Sequence, residues 1–347
     1  MDDSVQAAAP ATAPLTERSC PGATAGPPLS RDWRPPFPVD VRTILAVHRR
    51  GPRDPSFRID STGAIWRTSL APAGPGTVRV VSRRIAAAAA DAPGGPGRAA
   101  DQPATLITAT AWGPGASWLL EMLPALLGAQ DEPETFAPVH PLLREVARRH
   151  RGLRVGRSGR VLEALVPAVL EQKVVGLEAH RAWRTLLLRF GAAAPGPAPA
   201  GMRVFPAPAT WAAIPSWEWH AAGVEAVRAR TIAGAARVPG RLEEILAMEP
   251  ASADRRLRAL PGIGPWTSAE VRQRACGDAD AVTVGDYHLP GAVGWALAGH
   301  VVDDAGMLRL LAPYAGHRHR AARLVELSGI RPPRRGPRMA LRDYRAF

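Results

Sequence analysis

The sequence predicts an α+β chain, with a β-rich N-terminal lobe followed by a mainly helical region. Three observations point there. Residues 31–116 hold stretches that alternate or run β-branched between Gly/Pro turns, among them FRIDSTGAIWRTSL and TVRVVSR. From Ser117 onward, apolar residues recur at helical spacing. The strand signals are grouped before the helix signals instead of alternating with them, which separates α+β from α/β.

Taken in order, residues 1–30 are rich in Ala, Pro and Thr and read as a disordered tail. The lobe 31–116 ends in DQPATLITATAWGPG, which supplies another strand. The helical region, 117–330, opens with SWLLEMLPALLGA, HPLLREVARRH and RVLEALVPAVLEQKVVGLEAHRAWRTLLLRF. A Pro/Gly loop, GAAAPGPAPAG, interrupts it. PATWAAI, GVEAVRARTIAGAARV, RLEEILAM, SADRRLRAL, TSAEVRQRAC, YHLPGAVGWALAG and GHRHRAARLVELSG follow as short helices. Residues 331–347 form a loose basic tail.

Composition narrows the function classes. The length of 347 residues suits two domains, or one with an elaborate lobe. Basic residues number 44 against 31 acidic ones, a net +13, which favours a polyanionic partner. A GC-rich gene inflates Arg, Ala, Pro and Gly alike, so charge alone does not decide. Lys173 is the only lysine. Cys20 and Cys276 are the only cysteines, which excludes a disulfide framework and a four-cysteine zinc or iron–sulfur site. That fits a reducing, cytoplasmic setting. No signal-peptide core is visible and no run nears about 18 apolar residues, so no membrane association is expected. His317 and His319 stand two apart on a helix and point apart, so no metal centre is expected there. There is no GxSxG and no Cys–His set for a hydrolase of another class.

The chemistry concentrates in SADRRLRALPGIGPWTSAEVRQRACG. A short helix ends near Leu260, stopped by Pro261. Gly262 and Gly264 permit a tight turn and close approach of another backbone. A second helix starting near Thr267 would present free amides and its dipole to a phosphate. The same turn could also be a corner that binds nothing. Twenty residues after Trp266, Asp286 in VGDYHLP stands at the next helix start, where an aspartate is ordinarily an N-cap.

Taken together, these residues resemble the helix-hairpin-helix (HhH-GPD) DNA glycosylase superfamily. LPGIGPWTSA matches its hairpin, and GDADAVTVGD supplies its Gly-containing loop and aspartate. The resemblance implies an active site in a cleft between helical lobes, with Asp286 facing an extruded nucleotide. It implies that Leu260, Pro261, Gly262, Ile263, Gly264 and Thr267 grip a DNA phosphate. It also implies a monovalent cation at the carbonyls of Leu260 and Ile263, with no catalytic metal and no other cofactor.

Lyase-competent members carry a lysine just before the hairpin threonine, where this chain has Trp266. The four-cysteine loop of another branch is absent too. What remains resembles the monofunctional alkylpurine glycosylases of the bacterial 3-methyladenine glycosylase II type. In that branch Gln172, Lys173 and Val174 correspond to a wedge that fills the gap left in the duplex. Lys173 reads equally as an exposed helix lysine. Trp266 matches a pocket tryptophan and Tyr314 another pocket aromatic; each such ring attracts a cationic purine by about 0.5–2 kcal/mol. His288 would orient pocket groups. Glu270 departs from the pattern, which has an aromatic there, and points to a roomier or more polar pocket.

The resulting expectation is a monomeric, nucleoid-associated enzyme of base excision repair. Its partner is double-stranded DNA containing a damaged base, which it flips out and excises. Asp286, as carboxylate, would stabilise the oxocarbenium sugar. Two alternatives are a glycosylase/lyase using Lys173 and a non-catalytic binder of damaged DNA.

Overall fold

The computed structural model describes residues 27–85 and 104–333. Its N-terminal lobe is an antiparallel five-stranded sheet of order β1-β5-β4-β3-β2. The strands are β1 (Leu29–Trp33), β2 (Phe57–Ile59), β3 (Ile65–Ala71), β4 (Gly74–Ile85) and β5 (Ala104–Trp112). Alternation sorts their side chains. Val78 and Val80 of β4 face the core, while Arg79 between them lies over the Trp66 ring. Trp66 in turn stacks on Trp112, centroids 5.4 Å apart. β1 begins inside the stretch expected to be a tail. Residues 1–26 of that stretch and 334–347 of the basic tail lie outside the described residues.

Three helical pieces complete this lobe: Val41–Ala46, Ala116–Glu121 and Leu123–Leu126. Ile44, Leu119, Leu123 and Leu126 pack under Ile65, Val80 and Ile107. The segment SWLLEMLPALLGA therefore belongs to the sheet's core, beyond the boundary expected at residue 116. A sheet hydrophobic on one face must bury that face, and these helices cover it.

The remaining helices form two bodies. The central body surrounds the helix Val161–Leu170, which is buried at every position but Glu163. It therefore lacks the polar face of a surface helix. Around it pack Gly176–Phe190, Ala226–Ala236, Pro250–Arg258 and Pro265–Val271, with Leu186, Trp211, Ile232 and Leu257 filling the core. The second body joins Pro141–Arg149 to Leu289–Ala298, Asp304–Leu311 and Arg318–Ser328.

Buried and half-buried polar groups fasten the sheet lobe to the central body. Glu163 accepts from Ser69 Oγ at 2.8 Å and from the Leu70 amide at 2.6 Å. Buried Asp54 accepts from the Arg50 amide at 2.6 Å and from Trp183 Nε1 at 2.9 Å. A buried carboxylate left without such donors would be strongly destabilising.

Candidate active site

The hairpin consists of Pro250–Arg258, the turn 259–264 and Pro265–Val271. The Ile263 amide closes the turn onto Leu260 O at 3.1 Å. Gly262 is required twice over. Its φ is +87°, and a Cβ there would lie 2.1 Å from Thr231 Oγ1. Gly264 is extended, with open space where a Cβ would stand. The second helix starts at Pro265, two residues before the expected Thr267, because proline at the first helical position gives up no bonded amide. Pro261 and Gly262 are exposed, whereas Ile263 is buried and anchors the turn.

Thr267 departs from its expected phosphate role. It is buried, and its hydroxyl accepts from Gln172 Nε2 at 2.8 Å. Gln172 Nε2 also donates to Gly262 O at 2.9 Å. Gln172 thus ties the loop that follows Leu170 to the hairpin instead of projecting outward, and the exposed tip is left to Lys173 with Val174 beside it. Lys173 has φ +54°, the only positive value at a non-glycine among the described residues. Such a conformation persists only where surrounding structure enforces it. Here Arg50 pairs with Glu171 at 2.9 Å and Arg228 Nη1 donates to Leu170 O at 2.8 Å. Neither arginine was marked by any local sequence signal.

The N-cap of the next helix, Leu289–Ala298, is His288 and not Asp286; Asp286 serves that helix's opening amides from two residues earlier and also faces a cavity. Its Oδ1 accepts from the amides of His288 and Leu289, both at 2.8 Å. Its Oδ2 accepts from Trp266 Nε1 at 3.0 Å. The preceding Gly285, at φ +89°, is held by Asp304 through its amide at 3.1 Å. Asp286 lines a cavity of about 110 Å³ where the three bodies meet. The sheet lobe contributes Ile44 and Val47, the central body Glu270 and Arg274, and the second body His319. The cleft expected between helical lobes therefore has a third wall from the β lobe.

Glu270 is 9% exposed and lies one turn before Arg274, which sits in the π-helical stretch Arg272–Cys276. π turns are rare and frequently mark functional sites. Arg274 Nη1 lies 2.7 Å from Glu270 Oε2. Burial pushes the Glu270 carboxyl up, and Arg274 opposes that shift. Burial, aided by Arg323, Arg274 and Arg320, holds His319 well below the usual histidine range. His317 points away and bonds Thr135 Oγ1 at 2.8 Å.

Of the four expected pocket residues only Glu270 lines the cavity; Trp266, Tyr314 and His288 do not. Tyr314 is buried in the second body's core, 5.8 Å from Phe136, with its hydroxyl accepting from the His140 amide at 3.2 Å. The partner that captures it is 174 residues away, so no local pattern could reveal it. His288 is exposed; its ring meets Tyr287 edge-on at 4.8 Å, and only its amide serves Asp286. Trp266 stands beside the cavity through its bond to Asp286.

A β lobe capped by helices, two helical bodies, and a hairpin and aspartate where they meet define the fold of the helix-hairpin-helix DNA glycosylases. The 3-methyladenine DNA glycosylase from Archaeoglobus fulgidus shares it with a TM-score of 0.66 at 16% identity, over 85% of this chain and 96% of that one. The 8-oxoguanine glycosylase/lyase of Clostridium acetobutylicum, in its apo-form, matches with a TM-score of 0.61 at 11% identity, over 86% and 95%. The same enzyme in complex with double-stranded DNA matches with a TM-score of 0.58 at 11% identity, over 83% and 91%. No family model and no curated protein sequence matches the chain.

Proposed function

We propose that the chain is a monofunctional DNA glycosylase that turns an alkylated purine nucleotide out of duplex DNA and hydrolyses its N-glycosidic bond. The observation that carries this reading is the setting of Asp286. One carboxylate oxygen is fixed by two amides and the other by Trp266, on the wall of a cavity that the second hairpin helix also lines through Glu270.

In this reading the exposed hairpin backbone takes a phosphate of one strand without regard to base sequence. Leu260 O already accepts from the Ile263 amide, but a carbonyl has a second lone pair. Leu260 and Ile263 would therefore hold a monovalent cation that supplies positive charge to the phosphate. Lys173 and Val174 fill the place of the extruded nucleotide. The C1′–N bond then breaks with its electron pair leaving on the base. Asp286 stabilises the sugar cation, and water oxygen adds to C1′. One water hydrogen stays on the new hydroxyl; the other goes to the base or to solvent.

Trp266 before Thr267 supports hydrolysis without a lyase step, because an indole forms no Schiff base. The likeness to a 3-methyladenine glycosylase fold supports an alkylated substrate. A second reading, with a lyase step, rests on the exposed Lys173 amine at the loop tip. The test incubates the protein with alkylated genomic DNA and identifies released bases by mass spectrometry. Tight binding with no released base, even with protein in excess, would reduce the chain to a damage binder. Borohydride trapping that disappears in Lys173→Ala would favour the lyase.

A further inference from the structure

We propose that the cavity takes an uncharged damaged base, read along its hydrogen-bonding edge by Glu270 and Arg274, in preference to a purine that carries positive charge. The inference rests on the glycosylase reading above and names the substrate class of that site.

Three observations support it. First, no Trp, Tyr or Phe is among the described residues lining the cavity, so the walls lack the large electron-rich rings that attract a purinium best. Tyr314, the aromatic expected there, is held in the core by Phe136 and His140. Secondly, the cavity contains a built donor–acceptor pair. Glu270 Oε2 and Arg274 Nη1 lie 2.7 Å apart. The guanidinium is aimed by Nε donating to Val47 O at 3.0 Å and Nη1 donating to Glu270 O at 3.1 Å. Nη2 makes no hydrogen bond among the described residues, so it can donate to a base carbonyl or ring nitrogen while the carboxylate accepts from an amino or imino group. Such paired contacts reject a base lacking the matching groups, because the buried partners would be left unsatisfied.

Thirdly, the wall already carries an aromatic nitrogen ring that reports on charge. His319 is kept neutral by burial and by Arg323, Arg274 and Arg320. A purinium entering beside this ring would meet the same desolvation and the same arginines, set against the carboxylates of Glu270, Asp286 and Glu326 on the wall. Release of an uncharged base balances through water: the oxygen ends on C1′, one hydrogen on the sugar hydroxyl and the other on the departing base.

The experiment compares single-turnover release from duplexes containing O6-methylguanine or 1,N6-ethenoadenine, both uncharged, with duplexes containing cationic 7-methylguanine. Wild type is expected to release at least one uncharged base faster than 7-methylguanine. E270Q should lower the ratio of uncharged to cationic release by about tenfold, the scale of one lost hydrogen bond to a charged group. Faster release of 7-methylguanine than of both uncharged bases overturns the inference and leaves the glycosylase reading standing. An unchanged ratio in a folded E270Q assigns the pair to structure alone and also overturns it. If no duplex releases any base although all bind, the glycosylase reading falls and takes the inference with it.

Discussion

The indole Nε1–H of Trp266 donates to Oδ2 of Asp286 at 3.0 Å, joining the second hairpin helix to the loop that carries the carboxylate. That one bond places the hairpin and the proposed reacting group in a fixed relation. Trp266→Phe keeps the ring and removes the donor. Excision should fall by about tenfold while DNA affinity is retained. A rate equal to wild type would show that the bond does not position Asp286.

Asp286→Asn separates the amide-accepting role from the electrostatic one. Asparagine accepts from amides at a helix start as well as aspartate does, so the amides of His288 and Leu289 keep an acceptor. Its Nδ2 would face the Trp266 Nε1–H donor, so thermal stability should fall by about 1 kcal/mol, the scale of that lost bond. Base release should fall by on the order of 100-fold or more, since the charge facing the sugar cation is gone. Full activity in this variant would refute the assignment.

Gln172→Leu tests the tie between the loop that follows Leu170 and the hairpin. Gly262 O and Thr267 Oγ1 both lose their donor. The expected cost is about 1 kcal/mol in denaturant unfolding, together with weaker binding to duplex DNA. Unchanged affinity would mean that the loop holds its shape without this side chain.

Gly262→Ala meets two penalties, the φ of +87° and the approach to Thr231 Oγ1. It should destabilise by about 1–3 kcal/mol. Adding Thr231→Ala removes the steric part and leaves the backbone part, so the double variant should be more stable than the sum of the two single losses. Strict additivity across the cycle would show that the two residues do not collide.

Acid should destabilise the protein partly through two half-buried imidazoles. His48 is held well below its ordinary value of 6.5, by burial first and then by Arg67, Arg274 and Arg50. His319 behaves likewise. As pH falls below 6.5, the unfolded chain takes up protons that the folded protein refuses. This contribution to stability is therefore complete above that pH and is lost as pH drops toward the lowered folded value. Glu270, raised by burial, acts in the opposite sense: its contribution is present at low pH and is lost as pH rises past its ordinary 4.5 through the raised folded value. His48→Gln should lose less stability than wild type between about pH 7 and about pH 5, measured by denaturant midpoints. Parallel losses in the two proteins would contradict this.

The parts of the site that could be read from the chain are those whose cause is local. Pro261 and Pro265 bracket the turn through their missing amides, and Gly262 takes a φ that other residues resist. Asp286 announces itself because its carboxylate takes an opening amide of the helix that follows within three residues. Glu270 stood out as a polar residue where the resembling pattern has an aromatic, and it does line the cavity. Tyr314 misled because an aromatic near the right place in sequence carries no mark of which side it faces; Phe136 and His140 decide that.

The sequence by itself determined the α+β order, the hairpin and the single aspartate beside the next helix, because periodicity, proline, glycine and capping act over a few residues. Tertiary structure alone decided that Gln172 turns inward to the hairpin, that the β lobe supplies Ile44 and Val47 to the cavity, and that Arg274 faces Glu270 while anchored on Val47. Apart from the Glu270–Arg274 contact, one helical turn long, those relations join positions far apart in the chain. They arise because buried donors, acceptors and charges must find partners wherever packing brings them together.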